Sequence, residues 1–212
     1  MLKPIVYGGE RADELFGARE ELTDNVEDAV KSIIADVRAR GDKAVREYSA
    51  KFDGYTGEAF EVSRCEFDEA ERLVSADYAA MLRRAADNVR EFHLRQKRSG
   101  FEIARGGRTV GQMVIPLERA AIYVPGGTAA YPSTVLMNAI PAKIAGVGEV
   151  VMATPVKSDG KVKPEVLVAA RLCGVDRVFK IGGAQAIAAL AYGTKAVQWF
   201  CYFSPEYGGG EN

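Results

Sequence analysis

Histidine is almost absent from this chain, and its scarcity excludes much of enzyme chemistry. The 212 residues include one histidine, one tryptophan and three cysteines. Since zinc sites and general-base catalysis draw heavily on histidine, the composition argues against both. The cysteines are scattered, odd in number and without C-x-x-C spacing, which indicates reduced thiols in a cytoplasmic protein. The one histidine, His93, lies beside the apolar stripe of a charged helical segment, where a packing or surface role is expected.

The chain also lacks an excess of either charge and any long apolar run. Lys and Arg total 28 against 29 Asp and Glu, a net charge of −1, so no general affinity for nucleic acid is expected. No apolar run reaches the roughly 18 residues of a membrane span, and the N-terminus lacks the apolar core of a signal peptide. The remaining composition, 48% hydrophobic and 27% charged, is typical of a globular protein of one large or two small domains.

Helical periodicity dominates residues 24–99. The pattern predicts one helix from Asp24 to Gly41, a second that stops at Gly54, and a longer one from about Asp77 to Lys97. Short β-type runs follow in residues 100–118, broken by two adjacent glycines, which predicts a hairpin. We therefore expect residues 1–118 to form a helical N-terminal region with a hairpin.

A strand–turn–helix pattern then occurs three times. Strands are predicted near residues 120–124, 149–153 and 177–181, and their continuous apolar character predicts parallel strands buried on both faces. A proline inside the first of the three helices, Pro141, is expected to kink or split it. The predicted fold is α/β: a helical N-terminal region followed by an incomplete Rossmann-like parallel sheet (βαβαβα) over residues 119–196. Residues 197–212 form a divergent tail.

Glycine pairs follow two of the three predicted strands. Pro125-Gly126-Gly127 follows the first and Gly182-Gly183 the third, at the edge of a parallel sheet where ligands bind and helix N-termini attract phosphates. A tight turn and a ligand-binding turn both fit this pattern. The common dinucleotide signature is missing, because there is no G-x-G-x-x-G and no acidic residue ends the second strand.

Three parts of the sequence resemble a known protein family closely. The stretch around AAIYVPGGTAAYPSTVLMNAIPAKIAG, the segment VDRVFKIGGAQAIAALAYGT and the helical N-terminal region resemble histidinol dehydrogenases over about residues 1–195. The resemblance implies a zinc-containing homodimer that oxidises L-histidinol to L-histidine with NAD. It also implies that Tyr123 and Gln185 contact NAD, with Pro125, Gly126 and Gly127 in the same turn. From the residues alone, a strand-end tyrosine and a polar helix cap would be the preferred interpretations.

The chain departs from the family pattern after residue 195. Family members continue into a strand and a G-P-G-N motif, whereas this chain reads QWFCYFSPEYGGGEN, and Asn212 is no credible equivalent. In the family, the zinc ligands and the Glu–His acid–base pair lie in the half that follows. We therefore expect a truncated or frameshifted histidinol dehydrogenase with no catalytic residue, no zinc ligand and weak or absent NAD binding. The alternative is a non-catalytic remnant that retains a partial nucleotide pocket or a dimerisation surface.

Overall fold

The fold is taken from a computed structural model, which describes residues 20–126 and 130–197, with side chains from residue 26 onward. Helices and strands alternate in the second half of the described chain and are segregated in the first. The elements are α1 (Glu20–Arg40), α2 (Asp42–Asp53), α3 (Arg64–Leu73), α4 (Ala76–Leu94), β1 (Phe101–Arg105), β2 (Arg108–Gln112), β3 (Arg119–Tyr123), α5 (Pro132–Ala145), β4 (Glu149–Ala153), α6 (Pro164–Leu172), β5 (Arg177–Phe179) and α7 (Gly183–Tyr192).

Local capping explains where several helices begin and end. Ser63 and Glu66 form a reciprocal capping box at the start of α3, and the Ser75 hydroxyl accepts from the backbone N–H of Tyr78 at the start of α4. Helix α2 ends at Gly54, as predicted, and this glycine takes the left-handed conformation. The helical periodicity of residues 24–99 did not separate α3 from its neighbours. The S-x-x-E signature at residue 63 marks its start.

Three parallel strands form the central sheet in the order β3-β4-β5, which confirms the predicted adjacency and direction. Arg119 pairs with Glu149 and Tyr123 with Ala153 along the first ladder. A short antiparallel segment covers the outer edge of β5. There, Val62 N–H donates to the Val178 carbonyl at 2.9 Å and Lys180 N–H donates to the Phe60 carbonyl at 2.7 Å.

The helices form two groups. Helices α3, α4, α5 and α6 pack against one another, and α1, α2 and α7 pack against one another. One hydrophobic core includes side chains from both the helical region and the sheet, among them Val45, Leu82, Met152 and Phe179. The predicted boundaries between the helical region, the sheet region and the tail, at residues 118/119 and 196/197, remain a prediction. Residues 198–212 of the tail lie outside the described residues.

One sequence-based expectation is wrong and another is wrong in part. Helix α5 runs without interruption through Pro141, so the proline does not split it, and the alternative of a kink stays a prediction. The buried neighbours Ala139 and Ile140 hold the helix against the core on the N-terminal side of the proline. Strand β3 is not buried on both faces, since Arg119 and Ala121 are exposed. In the part of the chain that the structure describes, β3 is an edge strand, and no other strand pairs with the edge that faces away from β4.

The predicted hairpin is confirmed as β1 and β2, which pair from Phe101↔Gln112 to Arg105↔Arg108. Gly106 and Gly107 form its tip with φ of 58° and 76°, a conformation that suits a two-residue hairpin turn. All ten strand residues are exposed. No helix in the described ranges is long and apolar enough to cross a membrane.

Candidate functional site

A cleft of about 860 Å³ lies at the carboxyl ends of the three parallel strands. Because β3, β4 and β5 run in the same direction, the segments that follow them meet at one edge of the sheet. The end of α2, helix α3 and the start of α6 form the other walls of the cleft. Open parallel sheets bind their ligands at this edge, so the cleft is the candidate binding region.

The glycines that follow β3 and β5 allow close packing of the chain at this edge. A Cβ on Gly126 would lie 2.6 Å from Pro155 Cγ, and a Cβ on Gly182 would lie 2.5 Å from Pro155 Cβ. Pro155 follows the central strand and therefore occupies the space that a side chain at either glycine would need. At these two positions glycine is required for tight packing, whether or not the turns also contact a ligand. Gly127 lies outside the described residues.

A buried ion pair stabilises the floor of the cleft. Lys180 follows β5 with 7% of its surface exposed, and its Nζ lies 3.1 Å from Glu66 Oε1. The Lys180 ammonium also lies 5.8 Å from the Tyr55 ring centroid. Burial raises the pKa of Glu66, but hydrogen bonds from the Ser63 backbone and Lys180 outweigh it and hold the pKa below its ordinary value. The pair thus links α3 to the end of the sheet.

Asp53 is an acidic side chain in the cleft without such compensation. It is half-buried at the end of α2, where the negative end of the helix dipole also disfavours its charge. Burial raises the pKa of its carboxyl group. No cation among the described residues lowers that pKa in return. Its Oδ2 would lie 3.0 Å from a Cβ on Gly182, which places the carboxylate beside the glycine turn after β5.

The Asp53→Asn variant should therefore be more stable than the parent chain at neutral pH. A carboxyl whose folded pKa is raised makes the folded state less stable whenever it is ionised, and this penalty disappears as pH falls through the folded pKa. Denaturant unfolding from pH 7 to pH 3 should show an advantage that shrinks with acidity. The exposed Asp28→Asn is the matched control and should show no such trend. An Asp53→Asn advantage that grows with acidity would contradict the argument.

Tyr123 and Gln185 converge on the first residue of α7. Tyr123 ends β3, and its hydroxyl accepts a hydrogen bond from Gly183 N–H at 3.1 Å. Gln185 Oε1 lies 2.6 Å from the position that a Gly183 Cβ would occupy. The structure thus brings together two side chains that the sequence separates by 62 positions. Gly183 has φ of 62°, so both the conformation and the adjacent amide favour glycine here.

The environment of Gln185 differs from the sequence-based expectation. From the residues alone it is interpreted as a polar helix cap, but the start of α7 has no side-chain cap and the residue is 0% exposed. Among the residues that the structure describes, neither Nε2 nor Oε1 has a hydrogen-bond partner. A buried amide without partners destabilises a fold by about 1–3 kcal/mol, so such a group calls for an explanation. A ligand that pairs with the amide at the start of α7 would provide one.

The remaining candidates take minor positions. Pro125 is exposed and lines the cleft. His93, near the end of α4, is partly buried, and its Nδ1 lies 2.7 Å from Gln96 Oε1 just beyond that helix, so the expected packing or surface role stays a prediction. Cys173 is buried, and burial raises the pKa of its thiol to about 11. Over the described residues, no three His, Cys, Asp or Glu side chains converge in a way that could hold a metal ion.

Sequence analysis missed the half of the cleft that the N-terminal helices supply. Asp53, Tyr55 and Glu66 line it, although all three precede the sheet by more than 50 residues. One signal was available: an aspartate at a helix C-terminus, directly before Gly54, opposes the helix dipole. The other two have no sequence signal for a place in the cleft, because only the packing of the N-terminal helices brings them there.

These features define an α/β protein of the class in which a parallel, Rossmann-like sheet carries a candidate ligand site at its carboxyl edge. The family model for histidinol dehydrogenase matches residues 17–200. The chain belongs to the histidinol dehydrogenase family.

Individual relatives agree with the family match. The histidinol dehydrogenase of Lactococcus lactis subsp. lactis is 46% identical over 203 residues, which cover 93% of this chain and 47% of the relative. That of Bacillus subtilis is 49% identical over 177 residues, or 83% of this chain and 42% of the relative. The crystal structure of histidinol dehydrogenase from Elizabethkingia anophelis matches with a TM-score of 0.74 at 30% identity, covering 93% of this chain and 42% of that one. The chain spans about half the length of the curated relatives it matches.

Proposed function

We propose that this chain forms the NAD-contacting part of a histidinol dehydrogenase, with Tyr123 and Gln185 as cofactor contacts and Pro125, Gly126 and Gly127 in the adjoining turn. NAD accepts hydride from the alcohol when it is bound. This chain's residues hold and orient the cofactor, and L-histidinol is the substrate of the complete enzyme. The full reaction requires groups that these 212 residues do not contain.

The observation that best supports this proposal is the buried amide of Gln185, which has no hydrogen-bond partner among the described residues and lies close to Gly183, whose N–H donates to the Tyr123 hydroxyl. An amide offers both a donor and an acceptor, so it can pair with the carboxamide, hydroxyl or phosphate groups of a dinucleotide. The positive dipole end at the start of α7 favours the negative charge of a phosphate. The donor set therefore fits NAD.

Zinc does not fit the described residues. A catalytic zinc needs about three protein ligands and one open position. The described part of the chain has no such cluster. The single histidine lies on α4 and is hydrogen-bonded to Gln96. We assign no zinc-dependent step to these residues.

Calorimetric titration with NAD tests the cofactor proposal. We expect weak binding at most, because the family's asparagine loop has no counterpart here and each missing hydrogen bond weakens binding by about 1 kcal/mol. Tyr123→Phe and Gln185→Leu should each weaken it further. If NAD binding by the 212-residue chain is too weak to measure, the variants are compared in an extended chain. In the extended chain, residues 1–195 are followed by the part of the Bacillus subtilis relative that lies beyond its matched segment.

Thermal unfolding of Gln185→Leu distinguishes a binding role from a structural one. Replacing an unpartnered buried amide with an apolar side chain of similar size should stabilise the free protein by about 1 kcal/mol. A variant that is more stable yet binds NAD less well supports the proposal. Asn88→Ala, at an exposed position on α4, is the control for both measurements. Tight NAD binding that neither site variant changes would place the cofactor elsewhere.

A further inference from the structure

Asp53 is an acidic side chain that makes no bond within the described part of the fold. It has no hydrogen-bond or ion-pair partner among the described residues. The other acidic side chains that line the cleft, Glu66, Glu69 and Asp159, all have partners. Because burial raises the pKa of the Asp53 carboxyl, its ionised form destabilises the fold. A polar group that is kept although it destabilises the free protein is typical of a functional site.

Asp53 lies at the same glycine turn as Tyr123 and Gln185. Its Oδ2 and Oδ1 lie 3.0 and 3.3 Å from the position that a Gly182 Cβ would occupy. At the next residue, the Gly183 N–H donates to the Tyr123 hydroxyl, and Gln185 Oε1 lies 2.6 Å from the corresponding Cβ position. Since consecutive Cα atoms are only about 3.8 Å apart, side chains from α2, β3 and α7 surround one pair of glycines.

Asp53 also lines the cleft at the carboxyl edge of the sheet, together with Gly126 and Pro155. In the common dinucleotide fold, a carboxylate near this edge accepts a hydrogen bond from a ribose hydroxyl, and it follows the second strand. In this chain the second strand of the sheet, β4, ends at Ala153 and is followed by Thr154 and Pro155, so that position has no carboxylate. Asp53 places a carboxylate at the same edge from a different segment, the end of α2.

From these observations we propose that Asp53 accepts a hydrogen bond from a ribose hydroxyl of the bound dinucleotide and thereby selects NAD over NADP. An ionised carboxylate can only accept hydrogen bonds, so a hydroxyl donor suits it. NADP carries a phosphate in place of the ribose 2′-hydroxyl, which removes the donor and brings two negative charges together. Repulsion of this kind discriminates between related ligands. The inference rests on the proposed function, because it requires the dinucleotide to bind beside Tyr123 and Gln185.

Titration with NAD and with NADP tests the proposal, in the 212-residue chain or, where binding is too weak to measure, in the extended chain. Asp53→Asn keeps the shape of the side chain but loses its charge. It should bind NAD less tightly and reduce the preference for NAD over NADP by about tenfold or more. Asp159→Asn removes the same charge from the wall of the same cleft, where Asp159 accepts from the Lys161 N–H, and should leave the preference unchanged. An unchanged preference in Asp53→Asn, or an equal decrease in Asp159→Asn, would overturn the proposal.

An analogue of NAD that lacks the 2′-hydroxyl of the adenosine ribose gives an independent test of the same contact. The parent chain should bind this analogue about tenfold less tightly than NAD, since it loses a hydrogen bond to a charged group. Asp53→Ala, which removes the acceptor, should bind NAD and the analogue equally well. An equal loss in the parent chain and in Asp53→Ala would contradict the proposal. If Tyr123→Phe and Gln185→Leu weaken NAD binding but the Asp53 variants leave the selectivity unchanged, this inference alone fails. If NAD binds to neither chain, the proposed function fails with it.

Discussion

Purified alone, the 212-residue chain should produce no NADH from histidinol and should hold no stoichiometric zinc. Removing a hydride from an alcohol needs a base for the hydroxyl proton, with a pKa near the working pH. The single histidine lies on α4, hydrogen-bonded to Gln96, and Lys180 and Glu66 neutralise each other as an ion pair. Since the described residues hold no cluster of metal ligands, the proposed cofactor site at α7 would position NAD without assisting the chemical step.

The measurement combines NADH absorbance with metal analysis after incubation with zinc, NAD and histidinol. The positive control is the extended chain, in which turnover should appear because it regains the family's zinc ligands and acid–base pair. Sustained NADH production with one equivalent of zinc in the 212-residue chain would refute the prediction. A folded extended chain without turnover would count against the proposed function.

Gly182→Ala should destabilise the fold by about 1–3 kcal/mol, the usual range for overpacking a filled site. The added methyl would lie 2.5 Å from Pro155 Cβ and 3.0 Å from Asp53 Oδ2, and Gly182 is buried, so the backbone must move. For a chain of this size, thermal unfolding should show a decrease of about 2–4 °C per kcal/mol.

Two comparisons identify the cause of that loss. In Gly182→Ala combined with Pro155→Gly, the obstructing Cβ is absent, so the effects of the two substitutions should not add. Gly107→Ala, at the open tip of the hairpin, has no atom within 4 Å of the new methyl and should lose only the backbone term of about 1 kcal/mol. Additive effects of Gly182→Ala and Pro155→Gly would show that contact with Pro155 is not the reason.

The local sequence was sufficient for most of the architecture. The apolar runs after residue 119, each followed by a helical pattern, predicted three adjacent parallel strands because a strand buried on both faces needs such a composition. The Gly106-Gly107 pair predicted the hairpin because its turn needs positive φ. The IYVPGG and GGAQA motifs led to the family, which the comparisons confirm.

Tertiary packing decided what neighbouring residues could not. The sequence contains no record that Pro155 fills the space beside both Gly126 and Gly182, so the glycines suggested a ligand as readily as a tight turn. The burial of the Gln185 amide depends on how α7 packs against α1 and α2, not on its position in the first turn. The exposure of Ala121 depends on which strand lies at the edge. The apolar pattern of a segment indicates the burial that it needs, whereas only the packing of the helices and the sheet determines whether this chain provides that burial.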